Sequence, residues 1–158
     1  MQPTLVVAQH LLGKIMVFGN SEGLITETEA YIGQDDPACH AACGKTPRNA
    51  VMFGPAGFSY VYFIYGMYYC LNFVTEAEGM PAAVLIRGLR LIKPFTLNLD
   101  GPGKLCRQLA ITREHNGLDI TANESFYVKD TPHFPSFVAT PRIGIRKGQE
   151  KLWRFILQ

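Results

Sequence analysis

The chain has 158 residues, 47% of them hydrophobic and 18% charged, with a formal net charge of +2. That is about one domain's worth of sequence, too apolar and too weakly charged for long disordered tails, and long enough to bury roughly two-thirds of its unfolded surface without metal or disulfide. Bulk charge does not announce a nucleic-acid binder, but residues 1–78 hold only 3 of the 15 basic side chains and 7 of the 13 acidic ones, so the second half is the one that could face an anion.

In chain order, Val6 to Leu12 reads as a short helical turn and Lys14 to Phe18 as a strand. Met1 to Val7 has neither a basic n-region nor a small-residue cleavage site, which gives a cytoplasmic or nuclear expectation (nucleoid-associated in a bacterium). Gly23 to Ile32 is a strand rich in β-branched residues. Its alternation puts Glu27, Glu29 and Tyr31 on one face and Leu24, Thr26, Thr28, Ala30 and Ile32 on the other. Gly33 to Pro37 breaks it, and Ala38 to Lys45 is a loop or helical turn carrying His40. Phe58 to Val74 reads as a β-hairpin with Tyr65-Gly66 near its turn. It lies inside a charge-free run, Asn49 to Thr75, whose length invites a transmembrane reading. Pro55, three glycines, five tyrosines and Asn72 argue against that reading, so no membrane partner is expected. Ala82 to Ile92 is a strand interrupted by Arg87 and Arg90. Asp100 to Gly103 is a turn and Lys104 to Ile111 a helix. Ser125 to Lys129, Arg142 to Ile145 and Leu152 to Leu157 complete the strands. The set predicts a single α+β domain over residues 1–158: a mostly antiparallel curved β-sheet with short flanking helices and a protruding hairpin.

Several groups of residues carry chemical potential. Two carboxylates on one strand face repel, so Glu27 or Glu29 needs a partner or partial burial, and a buried, partnered carboxylate makes a good general base. A solvated strand face is the plainer alternative. Tyr65 beside Phe63 and Met67 at a hairpin tip calls for a cover: a protein, a membrane or a duplex opened by an aromatic wedge. A hairpin folded back on its own core is again the plainer reading. Gly101-Pro102-Gly103-Lys104-Leu105 lacks the Walker spacing and its hydroxyl, yet helix N-terminal amides and Lys104 could hold a phosphate. Arg142, Arg146, Lys147, Lys151 and Arg154 face one acid, Glu150, and fit phosphate contacts or a solvated edge strand. Cys39-His40-x-x-Cys43 has a flavour of zinc but no second ligand pair. The cysteines Cys39, Cys43, Cys70 and Cys106 are expected as free thiols, with no metal.

Taken as an ordered set, these segments resemble the alkyladenine (3-methyladenine) DNA glycosylases. The resemblance is carried by Glu27 to Gly33, Asp36, His40, Thr46-Pro47-Arg48-Asn49, Met52-Phe53, Tyr60-Val61-Tyr62, Ile64 to Tyr68, Cys70-Leu71-Asn72, Val84 to Arg87 and Gly101 to Cys106. It implies a monofunctional glycosylase that takes damaged purines (3-methyladenine, 7-methylguanine or hypoxanthine type) from double-stranded DNA as a monomer, without a cofactor. By the same resemblance Tyr65 would be the wedge. Tyr31, His40 and Tyr62 would sandwich the flipped base, with Ala38 beside it, and Asn72 would exclude guanine's 2-amino group. Glu29 would deprotonate the attacking water, with Arg87 and the Ile143 carbonyl placing it. Lys104 and its glycine turn at Gly103 would lie near the DNA backbone, where the basic tail also places Arg142. Against the family pattern the Arg90–Asp100 region is short. A non-catalytic damage-sensing module and a hydrolase of free nucleosides or small glycosides are the alternatives.

Overall fold

The structure, a computed structural model, describes residues 3–132 and 134–158. Among these, two helices, α1 (Thr4–Leu11) and α2 (Pro102–Leu109), accompany nine strands. The strands are β1 (Ile15–Phe18), β2 (Ser21–Ile32), β3 (Ser59–Ile64), β4 (Tyr68–Val74), β5 (Ala82–Lys93), β6 (Leu97–Leu99), β7 (Phe126–Lys129), β8 (Phe137–Thr140) and β9 (Arg154–Leu157). They form one sheet in the order β3-β4-β5-β2-β1-β7, with β6 on β5 and β9 bridging β2 to β8. Each pairing is antiparallel. The α+β expectation holds. The long strands β2 and β5 form its axis, and β2 is flanked on its other edge by β1 and then β9.

Side-chain alternation divides the sheet into two faces. Ala30, Val61, Phe73, Val84 and Ile86 join Ala8, Leu12, Leu105 and Leu109 in the main core, under both helices. Their strand neighbours Tyr60, Val74 and Ala83 turn to the opposite face and pack with Cys39, Ala41 and Met52, which lie in or beside two short 3-10 turns. The second face therefore carries a small separate core, and that core backs the candidate site.

One strand departs from simple alternation. The β2–β5 register runs Ile25↔Leu89, Glu27↔Gly88 and Thr28↔Ile86, so Thr26 on β2 and Arg87 on β5 are each an unpaired extra residue. Bulges of this kind re-aim side chains and sharpen twist. Here they switch the phase of β2. Ile25 is fully buried in the main core, and past the bulge that face is occupied by Thr28 and Ala30 instead. The sequence reading put Leu24 and Thr26 on the same face as Thr28; periodicity fails there because a bulge has no signature in alternation. The crossing leaves no room for a Cβ at Gly88, which would lie 2.7 Å from Thr26 Oγ1 and 2.9 Å from Glu27 Cβ. Gly88→Ala is expected to destabilise the fold by about 1–3 kcal/mol, as overpacking does. Urea unfolding at equilibrium would measure it, and an unchanged midpoint would contradict the crowding.

The β3–β4 hairpin turns as anticipated. Met67 N–H donates to the Ile64 carbonyl at 3.1 Å, and both intervening residues have positive φ, Tyr65 at 55° and Gly66 at 61°. That is the type I′ form, whose twist suits a tight hairpin. Left-handed backbone is routine for Gly66 and uncommon for a tyrosine. The expected strand at Arg142 to Ile145 is absent: these residues form bends in a loop, and their hydrogen bonds go to side chains instead of a ladder. β6 and β8 escaped the sequence reading because each is short and mostly exposed.

Candidate active site

The site is assembled by register. Tyr60, Asn72, Leu85, Glu29 and Arg154 are successive Cα partners across β3, β4, β5, β2 and β9, forming one transverse row over five strands. Tyr62, Cys70 and Tyr31 flank the row, and a cavity of about 260 Å³ opens above it. Ligand pockets usually span about 300–1,000 Å³, so this one suits a ring-sized guest and not a whole nucleotide with its neighbours.

Glu29 lies at the cavity wall, 1% exposed. Its Oε1 accepts from the Tyr31 hydroxyl at 2.9 Å and its Oε2 from the Ile143 backbone N–H at 2.7 Å. The Arg87 guanidinium stands off at 3.7 Å. Burial pushes the carboxyl above its ordinary range, against the pull of the Ile143 amide, the Tyr31 hydroxyl and Arg87. Glu27 is in a different position. Arg87 Nη1 binds one of its oxygens at 2.7 Å, and Arg154 grips both at 3.2 and 2.7 Å. Of the two strand carboxylates, Glu27 is held closely by two arginines, while Glu29 has two hydrogen bonds and one longer ion pair to Arg87 and is the one lining the cavity.

The aromatic wall is layered. His40 Nδ1 is 2.9 Å from the Tyr60 hydroxyl, and its ring meets Tyr62 at 4.3 Å between centroids, tilted by 68°. A base inserted between those two rings would need about 3.5–4.0 Å on each of its faces, which this contact does not leave. His40 and Tyr62 thus form a single wall, with Tyr31 also lining the cavity. Burial lowers the His40 pKa and the nearby positive Arg48 lowers it further, so the imidazole is neutral at pH 7. Asn72 is buried, and its Nδ2 donates to the Tyr60 carbonyl at 3.2 Å. Ala38 lines the cavity and Tyr65 stands at its rim, 69% exposed beside Met67 at 72%.

Residues 1–158 match the family described as Methylpurine-DNA glycosylase (MPG). The chain belongs to the methylpurine-DNA glycosylase family. It is 67% identical over 154 residues to a protein of Wolbachia sp. subsp. Brugia malayi (strain TRS), covering 98% of this chain and 91% of that one. A Sodalis glossinidius protein is 63% identical over 152 residues (96% and 89%), and one from Ehrlichia chaffeensis 60% over 160 residues (99% and 88%). All three carry the name "Putative 3-methyladenine DNA glycosylase". A methylpurine-DNA glycosylase is a hydrolase of N-glycosyl bonds, and its partner is DNA.

Of the residues named from sequence, Glu29, Tyr31, Ala38, His40, Tyr62, Tyr65, Asn72, Arg87 and Ile143 come together around the cavity. Ile143 meets Glu29 through its amide N–H. Arg142 is corrected. Its side chain is fully buried and bound to Asp36 at 2.6 and 2.8 Å, so it presents no face to a phosphate. Arg154 leaves the basic tail for the same reason, being held by Glu27. Arg146 and Lys147 remain exposed on the loop beside Ile143. Lys104 is exposed and pairs with Asp100 at 2.6 Å. Gly103 has a packing reason to be glycine, since a Cβ there would lie 2.5 Å from the Tyr68 ring. Cys39 Sγ sits 3.9 Å from Met52 Sδ, while Cys43 is exposed. No helix among the described residues is long and apolar enough to cross a membrane.

The sequence reading gave no role to Tyr60, which orients His40, or to Arg48, whose Nη2 binds the Phe63 carbonyl at 2.6 Å with the guanidinium 5.8 Å from the Tyr62 ring. Tyr60 had a usable signal: it lies two residues before Tyr62 and so on the same strand face.

Proposed function

We propose that this glycosylase flips damaged purines of the 3-methyladenine, 7-methylguanine and hypoxanthine type out of duplex DNA and hydrolyses their N-glycosidic bond with a water activated by Glu29. The observation that carries the proposal is a buried carboxylate of raised pKa at the wall of a ring-sized aromatic cavity beside an exposed tyrosine tip. Tyr65 enters the stack and fills the space the nucleotide leaves, offsetting a flipping cost of a few kcal/mol that is smallest for damaged or mispaired bases. The base then stacks against the Tyr62–His40 wall and Tyr31. Asn72, fixed by the Tyr60 carbonyl, stands against the purine edge and crowds a 2-amino group, a cost that normal guanine with its stable glycosidic bond does not overcome and cationic 7-methylguanine with its weakened bond does.

In the chemical step a water attacks C1′ and passes a proton to Glu29. The C1′–N bond breaks with its electron pair going to the base. A methylated, cationic purine leaves neutral and needs no acid, and a cation also stacks well on electron-rich rings, whereas neutral hypoxanthine leaves as an anion that takes its proton from solvent. Neutral His40 adds no like charge against it. The products are a free base and an abasic deoxyribose. The protein works as a monomer on one lesion at a time, with Arg146, Lys147 and Lys104 facing phosphates.

Base release separates this reading from its rivals. Duplexes carrying hypoxanthine or 7-methylguanine are expected to lose the base, and free nucleosides are not. Tyr65→Ala is expected to slow release from duplex about 5- to 150-fold, the size of one lost stacking contact of about 1–3 kcal/mol, and to slow release from single strands far less. Tight binding to damaged duplex with no release would favour a sensing module. Release from nucleosides alone would favour a small-glycoside hydrolase.

A further inference from the structure

We propose that Arg142 is a positioning residue for Glu29: it clamps from behind the two groups that hydrogen-bond the carboxylate, the Tyr31 hydroxyl and the Ile143 amide. The inference rests on Glu29 being the general base.

Among the described residues, no backbone–backbone hydrogen bond holds residues 141–145. The segment is tied down by side chains instead: Gln149 Nε2 donates to the Ile145 carbonyl at 3.3 Å, and the buried Arg142 side chain reaches β2. Its Nη1 donates to the Ala30 carbonyl at 2.9 Å, between Glu29 and Tyr31 in sequence, and both terminal nitrogens bind Asp36. Asp36 is itself fixed by the amides of Ile32 and Ala38, each at 3.1 Å. The guanidinium also lies over the Tyr31 ring at 4.8 Å and the Trp153 ring at 5.1 Å. One buried cation thus fixes the plane of Tyr31, whose hydroxyl reaches Oε1, and the residue preceding Ile143, whose amide reaches Oε2.

The arrangement is poorly made for stability alone. Arg142 Nε is buried without a hydrogen-bond partner, and a buried ion pair is often no better than apolar packing. Gly148 clears the space, because a Cβ there would lie 2.8 Å from Arg142 Nη2. Glu29 is faced by Arg87 from β5, Arg154 from β9, Cys70 from β4, and Tyr31 and Glu27 on its own strand. The Arg142 charge adds to the field of those groups, and Arg142→Lys keeps it, so what Arg142→Met loses beyond Arg142→Lys is the placing of the two donors.

The test is the acid limb of single-turnover base release from a hypoxanthine duplex, for wild type, Arg142→Met and Arg142→Lys, read well below each variant's melting temperature. Arg142→Met is expected to move the limb up by about one pH unit, the effect of losing one hydrogen bond to a carboxylate. The plateau rate should fall about tenfold, with duplex affinity kept. Arg142→Lys, which keeps a charge and one donor, should fall between. A folded Arg142→Met with an unmoved limb would overturn the proposal. If that variant does not fold, hydrogen exchange in the wild type decides. The Ile143 amide should exchange as slowly as the Ala30 amide in the sheet, and exchange as fast as the exposed amides around it would overturn the clamp. Undiminished release by Glu29→Gln would instead remove the general base, a different failure from this one.

Discussion

Glu29→Gln is expected to lose about 10³-fold in the single-turnover rate of base release, within the range of about 10²–10⁴ for a removed general base, while duplex affinity stays near wild type. The amide keeps the shape and can still meet the Tyr31 hydroxyl or the Ile143 N–H, but it cannot take a proton from water. The pH profile supplies the sign. Burial raises the Glu29 pKa above its ordinary 4.5, so the base is protonated, and the rate falls, at a pH higher than a solvated glutamate would give. The same shift acts on stability in the opposite sense. A carboxyl raised by folding favours the folded state below its unfolded pKa, and that contribution is lost as pH rises through the folded value. Activity and this part of stability therefore trade against each other across one window. Glu27→Gln is the control. Glu27 sits between Arg87 and Arg154, so its loss should unsettle Arg87 and cost stability with a smaller effect on the chemical step. A Glu27→Gln defect larger than that of Glu29→Gln would sink the assignment.

The hairpin was legible in the sequence because its signals are local: period-two aromatics on both arms and a glycine at the turn. Glu29 and Tyr31 were placed on one face for the same reason, and their hydrogen bond follows from that spacing. Choosing between Glu27 and Glu29 was beyond periodicity, because the deciding partner of Glu27 is Arg154, 127 positions away. The phase of β2 was misread at Thr26, since two compensating bulges restore the pairing without marking the pattern. Arg142 was misread because a cation within a basic stretch reads as solvated. Its burial depends on Asp36, a residue legible as a family motif and not as an ion-pair partner 106 positions away. The residues singled out by the resemblance lie together around one cavity, and the geometry adds that His40 and Tyr62 share a wall.

Asp36→Ala should be the most destabilising of the substitutions considered, by about 3–5 kcal/mol, the cost of leaving a buried charge without its partner. For a domain of this size that corresponds to a fall of roughly 6–20 °C in melting temperature. Asp36 and Arg142 both have fully buried side chains, and Asp36 accepts four hydrogen bonds, two from Arg142 and one each from the Ile32 and Ala38 amides. Burial works to raise the Asp36 pKa, but the Arg142 hydrogen bonds and the two amides outweigh it and hold the carboxyl below its ordinary 3.8. A carboxyl depressed by folding contributes stability above its unfolded pKa and loses it as pH falls through the folded value. The gap in melting temperature between wild type and Asp36→Ala should therefore be full at pH 7 and close only under strong acid. The double variant Asp36→Leu/Arg142→Met removes both charges and should cost less than Asp36→Ala alone, because what is expensive is the unpaired cation and not the absence of an ion pair. Calorimetric melts of the three proteins across pH would show it. A double variant less stable than Asp36→Ala would mean that the pair itself, with its two aromatic neighbours Tyr31 and Trp153, holds this corner of the fold together.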